Sequence, residues 1–209
     1  AFFEAYGETG YASLSKLIHY IKSHYPDLFT IADAKRGDIG NTSLRYAKAF
    51  YEAMPFDSIT IAPYMGKDSV EPFLTYKDKH AILLALTSNH GSADFQVAKN
   101  AETPLFKEVL TTSLNYENAD RLMYVVGATK AEYLKEIRAL VPDAFLLIPG
   151  VGAQGGSLKD VFKNGVNKQI GLLVNSSRGI LYASKGEDYV AAAAKVAPSL
   201  QNQMQKLLA

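Results

Sequence analysis

Leu28-Phe-Thr-Ile-Ala-Asp-Ala-Lys-Arg-Gly-Asp-Ile-Gly-Asn-Thr42 is the stretch that decides the fold. Its first six residues, Leu28 to Asp33, are mostly apolar or β-favouring and read as a strand. A charged loop with one glycine follows, Lys35-Arg36-Gly37-Asp38. A helical pattern comes next, with Leu44, Ala47 and Tyr51 on one face. The same unit recurs along the chain. Further strands are expected at Ser58 to Pro63, Ala81 to Thr87, Leu122 to Gly127, Phe145 to Pro149 and Ile170 to Asn175. Helices are expected through Leu14, Leu17, Ile18 and Ile21, over Glu132 to Val141, over Leu158 to Asn164 and over Glu187 to Leu208. The last must bend or break at Pro198, which has no N–H to give.

Alternating buried-type strands and helices make an α/β chain with a parallel sheet. The strand starts lie roughly 25 to 40 residues apart, the repeat of βα units. Polar or glycine-rich clusters follow nearly every strand: Tyr64-Met65-Gly66, Ser88-Asn89-His90-Gly91, Gly152 to Gly156, and Ser176-Ser177-Arg178-Gly179. Loops of that kind at strand C-termini are the habit of a (β/α)8 TIM barrel. Neither Gly-x-Gly-x-x-Gly after the first strand nor a Walker motif supports an open nucleotide-binding sheet. With six strands in view and an opening on loop and helix, the first two barrel strands are expected upstream of Ala1. No linker divides the chain, so residues 1–209 are expected to be one barrel domain.

Of the 209 residues, 48% are hydrophobic and 21% charged, an ordinary globular balance that can bury a sizeable core. A net charge of +1 gives no basic field for nucleic acid. No apolar run is long enough to span a bilayer. The absence of cysteine excludes disulfides and thiolate chemistry and fits a reducing, cytoplasmic setting.

Asp33, Lys35 and Asp38 form the strongest candidate site. Alternation along a strand puts Asp33 and Lys35 on one face and the small Ala32 and Ala34 on the other. The charged pair then points into the barrel mouth, where burial demands pairing. Asp38 can return to the same lysine or reach a partner chain. A lysine between carboxylates keeps its proton and acts as a proton donor, not a Schiff-base nucleophile. The competing reading is a salt bridge closing the barrel end, with Asn41 or Thr42 capping the next helix.

The last two loops suit an anion. The glycines of Pro149 to Gly156, around Gln154, let backbone N–H groups approach it. Ser177 and Arg178 add donors and a guanidinium after the final strand. Phosphate capture by these two loops recurs in the barrel. Ser88 could hydrogen-bond a substrate ring, though a serine there also reads as a turn former. His90 reads as a solvated loop histidine, and His19, His24 and His80 as surface residues without metal-ligand spacing, so no metal is expected.

Taken together, Asp33-x-Lys35-x-x-Asp38-Ile39-Gly40-x-Thr42 resembles the catalytic motif of the orotidine 5′-phosphate decarboxylases. Ala1 to Gly7, Ala62 to Gly66, Thr87 to Ser92, Val125 to Thr129, Ile148 to Gly156 and Asn175 to Gly179 resemble, in order, the bacterial branch sometimes called type 2. The Asp-Lys-Asp motif alone is shared with a wider suprafamily; the full set is more specific. The resemblance implies loss of CO₂ from orotidine 5′-monophosphate, giving UMP, without cofactor or metal. It implies Asp33 beside the substrate carboxylate and Lys35 as the proton donor to C6. It places Ser88 on the pyrimidine and Gln154, Ser177 and Arg178 on the phosphate. It also implies a homodimer in which Asp38, Ile39 and Thr42 enter the neighbouring subunit's site. His90 departs from the proline expected in that branch. The family's substrate-binding aspartate and a lysine are expected upstream of Ala1. The alternatives are a metal-dependent sugar-phosphate decarboxylase of the same suprafamily and a non-catalytic phosphate-binding barrel.

Overall fold

In the computed structural model, which describes residues 1–97, 102–151 and 155–208, each apolar run singled out above overlaps a strand. These are β1 (Ile31–Arg36), β2 (Ser58–Ile61), β3 (His80–Leu86), β4 (Leu122–Val126), β5 (Leu146–Pro149) and β6 (Leu172–Asn175). They are ordered in the sheet as in the chain. Pairing is parallel in β1–β2, β2–β3 and β5–β6. A doubly wound sheet reverses its strand order at a switch point, and this one does not. The fold is therefore α/β with sequential parallel strands. Among the described residues, no helix is long and apolar enough to cross a membrane.

The chain divides into two compact units. The first comprises Ala1–Leu84 and Thr111–Tyr124. Within it, α1 (Gly7–His24) turns Ile18 fully inward and leaves Leu17 exposed, so the expected apolar face is narrower than its four residues. Helix α2 (Gly40–Lys48) buries Ala47 and runs into a π-helical turn at Ala49–Ala53 that buries Phe50 and Tyr51. Helix α3 (Lys67–Leu74) buries Val70, Phe73 and Leu74. These close on Ile59 and Ile61 of β2, both fully buried. Each such side chain contributes about 1.5–3 kcal/mol by leaving water.

The second unit comprises Ala85–Leu110 and Val125–Ala209. It contains α4 (Ser92–Phe95), α6 (Ala131–Leu140), α7 (Leu158–Gly165), α8 (Arg178–Leu181) and α9 (Tyr189–Leu208), and it takes the first turns of α5 (Leu105–Ser113). Its core includes Phe106, Leu134, Ile137, Leu146, Ile148 and Val161. Arg138 ties this core together at the strand starts. Its guanidinium donates to the carbonyls of Gly165, Val141, Ala144 and Gly171 at 2.6–3.0 Å.

Three expectations change. β1 starts and ends three residues later than Leu28 to Asp33, because Thr30 is engaged with Asp57 ahead of the strand. Of the bend or break expected at Pro198, the break does not occur: the C-terminal helix runs through it. The helix buries no residue, so water can take the Ala194 carbonyl left without its donor. His80 is not a surface residue: it opens β3 half-buried, with its Nδ1 buried and, among the described residues, without a hydrogen-bond partner.

Candidate active site

The exit of β1 is irregular where the chemistry-bearing residues lie. Ala32 pairs with Ile59, and Arg36 pairs with Ile61. Four residue steps on β1 thus face two on β2, and the bulge carries Asp33, Ala34 and Lys35. Lys35 has φ +48°, a left-handed conformation costly for a residue with a Cβ. Its Nζ lies 2.5 Å from Asp33 Oδ1. The pair that alternation predicted is formed, by a bulge and not by a regular pleat. Both side chains remain half-exposed or more.

Thr60 lies beneath this pair. It is fully buried in β2. Its hydroxyl accepts the backbone N–H of Lys35 at 3.0 Å and donates to Asp33 Oδ1 at 3.0 Å. The sequence reading missed Thr60. A signal existed: it is the polar member of Ile59-Thr60-Ile61, in register with Asp33 when the pairing of Ile31 with Ser58 is extended.

Arg36 turns away from the pair. It forms an ion pair with Glu4, donates to Ala34 O, and stacks against Tyr46 and Phe50. Asp38 accepts the N–H of Ile39 at 2.7 Å. Among the described residues, no ion pair joins Asp38 to Lys35. Neither Asn41 nor Thr42 caps α2, which has Ile39 at its N-cap and no side-chain cap. Ile39, Asn41, Thr42 and Leu44 are exposed at its start. Ile39 and Leu44 line a groove of about 710 Å³ with Asp68, Glu71 and Glu117.

The second unit holds the other candidates. Ser88 follows β3, half-buried against Gly127. A Cβ at Gly127 would meet the Ser88 backbone N at 2.5 Å, so only glycine permits this approach. Thr129 Oγ1 donates to Ser88 O at 3.3 Å. The loop is also held by Gln96, whose Oε1 accepts the N–H of Thr87 at 2.7 Å. His90 is exposed, as a solvated histidine should be. Ser177 is the N-cap of α8, and Arg178 is its first residue. Arg178 is exposed, and among the described residues it has no ion pair. Gln154 lies outside the described residues. Among the described residues, no group of three or more His, Cys, Asp or Glu could hold a metal ion.

Comparison with known proteins extends these observations. The family described as Orotidine 5′-phosphate decarboxylase / HUMPS family matches residues 1–196. The chain is 62% identical over 208 residues to the orotidine 5′-phosphate decarboxylase of Flavobacterium johnsoniae, covering all of this chain and 76% of that protein. It is 61% identical over 204 residues to that of Christiangramia forsetii, covering 98% of this chain and 75% of that protein. A solved structure of Leishmania donovani OMP decarboxylase superposes with a TM-score of 0.82 at 34% identity, covering 96% of this chain and 77% of the other.

Proposed function

The chain belongs to the orotidine 5′-phosphate decarboxylase / HUMPS family, and from that premise we propose that it converts orotidine 5′-monophosphate to UMP and CO₂, a step of pyrimidine nucleotide synthesis. The observation that carries the mechanism is the Asp33–Lys35 pair, 2.5 Å apart at the exit of β1. In the reaction, the bond from C6 to the carboxylate carbon breaks and CO₂ departs. The electron pair stays on C6, and Lys35 delivers a proton there. Asp33 sets a negative charge against the substrate carboxylate, raising the energy of the starting state. The Lys35 ammonium stands where negative charge develops, which is preorganised stabilisation. Neither step needs a cofactor or a metal.

The remaining roles follow the same reading. Ser88 hydrogen-bonds the pyrimidine. Gln154, Ser177 and Arg178 hold the phosphate, and the exposed Arg178, without an ion pair among the described residues, suits an incoming anion. Phosphate binding, remote from C6, supplies energy to close the site. The active unit is a homodimer in which Asp38, Ile39 and Thr42 serve the partner's site. The exposure of Ile39 and Thr42 beside the 710 Å³ groove supports this. The six strands belong to one (β/α)8 barrel domain whose other two strands lie upstream. The sequential strand order and the greater length of the curated relatives support that view. The enzyme works in the cytoplasm.

Loss of orotidine 5′-monophosphate absorbance in the presence of EDTA tests the reaction. Turnover that resists chelation is the expected result, and turnover abolished by EDTA overturns the metal-free mechanism. Arg178→Ala should raise KM about 10- to 100-fold, the range of a lost charge-assisted hydrogen bond. An unchanged KM removes Arg178 from the phosphate site.

A further inference from the structure

We propose that Thr60 is a positioning residue for the decarboxylation, acting through its hydroxyl on both members of the Asp33–Lys35 pair; this rests on the proposed role of Lys35 as proton donor. The contacts form a closed ring. The Lys35 N–H donates to Thr60 Oγ1 at 3.0 Å. Thr60 Oγ1 donates to Asp33 Oδ1 at 3.0 Å. The same Asp33 oxygen accepts from Lys35 Nζ at 2.5 Å. One hydroxyl, with one proton to give and lone pairs to accept, thereby fixes the backbone of Lys35 and the anion that holds its ammonium.

Three features make this more than a packing contact. Thr60 is fully buried between Ile59 and Ile61, which are also fully buried, so water cannot replace its hydrogen bonds. Its β-branched side chain is stiff at χ1, which fixes where the hydroxyl points. Lys35 holds a left-handed φ of +48°, and such a conformation persists only where neighbours over-determine it. The Thr60 hydroxyl is the partner that satisfies the Lys35 N–H within the bulge. Without it, the bulge loses the protein partner of the Lys35 N–H and has one fewer anchor. The ammonium then samples positions away from the reacting carbon.

The intact protein carrying Thr60→Val or Thr60→Ser tests the proposal by steady-state kinetics on orotidine 5′-monophosphate. Valine keeps the shape and removes the hydroxyl; serine keeps the hydroxyl and removes a methyl. Thr60→Val should lower kcat about 100-fold, with KM within about 2-fold, the signature of misplaced chemistry with retained binding. Thr60→Ser should recover kcat to within about 5-fold of wild type. Equal losses in the two variants, or a Thr60→Val enzyme with full kcat, overturn the role. If Thr60→Val does not fold, Thr60→Ala against Thr60→Ser poses the same question: serine active and alanine impaired supports the hydroxyl, and equal impairment overturns it. An inactive wild type overturns the decarboxylase reading itself, an outcome distinct from an active wild type matched by Thr60→Val.

Discussion

Two lysine–aspartate pairs stand at opposite ends of the first two strands, and they are built differently. At the strand starts, Lys22 reaches Asp57 with both side chains about a fifth exposed. Asp57 also accepts the N–H and the hydroxyl of Thr30, each at 2.7 Å. The backbone there is regular, with Ile31 opposite Ser58. At the strand exits, Lys35 reaches Asp33 with side chains 52% and 66% exposed. The backbone there is bulged and locally left-handed. The first pair gathers three donors on one aspartate oxygen and secures the fold. The second lies open on a strained bulge and is available to a substrate. Stability at the strand starts and chemistry at their exits is the division of labour in parallel α/β barrels.

The sharpest way to break this comparison is at Lys35. Lys35→Gly should cut turnover by at least about 10⁴-fold, because it removes the proton donor and the cation facing the developing charge. It should not destabilise the fold, since glycine accepts φ +48° freely. A gain of about 1 kcal/mol in chemical denaturation is expected. A loss of stability would mean that the exit pair is structural after all.

The mirror-image experiment is Asp57→Ala. It strips three hydrogen-bond donors of their acceptor and leaves Lys22 without its anion. Stability should fall by about 2–3 kcal/mol, the cost of breaking charge-assisted hydrogen bonds in a partly buried site. Turnover per folded molecule should be unchanged. Denaturant melts read beside kcat check both halves, and a variant of full stability but reduced kcat would reverse the assignment.

The contrast also explains what the sequence could reveal. Strand positions were legible from apolar runs, and the motif around Lys35 pointed to the site because charges at a strand exit are conspicuous. The bulge was not legible. Asp33 and Lys35 would share a face in a regular strand too, so the pattern gave no sign that the chain departs from the pleat. Thr60 escaped notice because one hydroxyl in Ser58-Ile-Thr-Ile61 looks like β-propensity; its meaning comes from the register with β1. The Lys22–Asp57 pair joins residues 35 positions apart, and nothing local marks it. Pro198 does not end its helix, because water can replace the lost hydrogen bond on an exposed helix.

The smallest expected effect is in the pH dependence of stability, and it too separates the strand starts from their exits. Burial pushes His80 below its ordinary range; Arg121 acts the same way, while Asp57 and Asp120 pull it up. The folded protein therefore binds the His80 proton less readily than the unfolded chain. Below about pH 6.5, the unfolded value, protonation favours unfolding, so stability falls as pH drops through that value toward the folded one. Asp57 adds to the trend further into acid. Burial raises its pKa, but the hydrogen bonds from Lys22 and Thr30 outweigh burial and hold the carboxyl low. Its contribution is present above about pH 3.9 and is lost as pH falls through the folded value. Melting temperatures across this range should show two declines on acidification, the first removed by His80→Gln and the second by Asp57→Ala. Lys35→Gly should leave both in place. If it removes either one, the strand starts and exits are coupled, and the division between them does not hold.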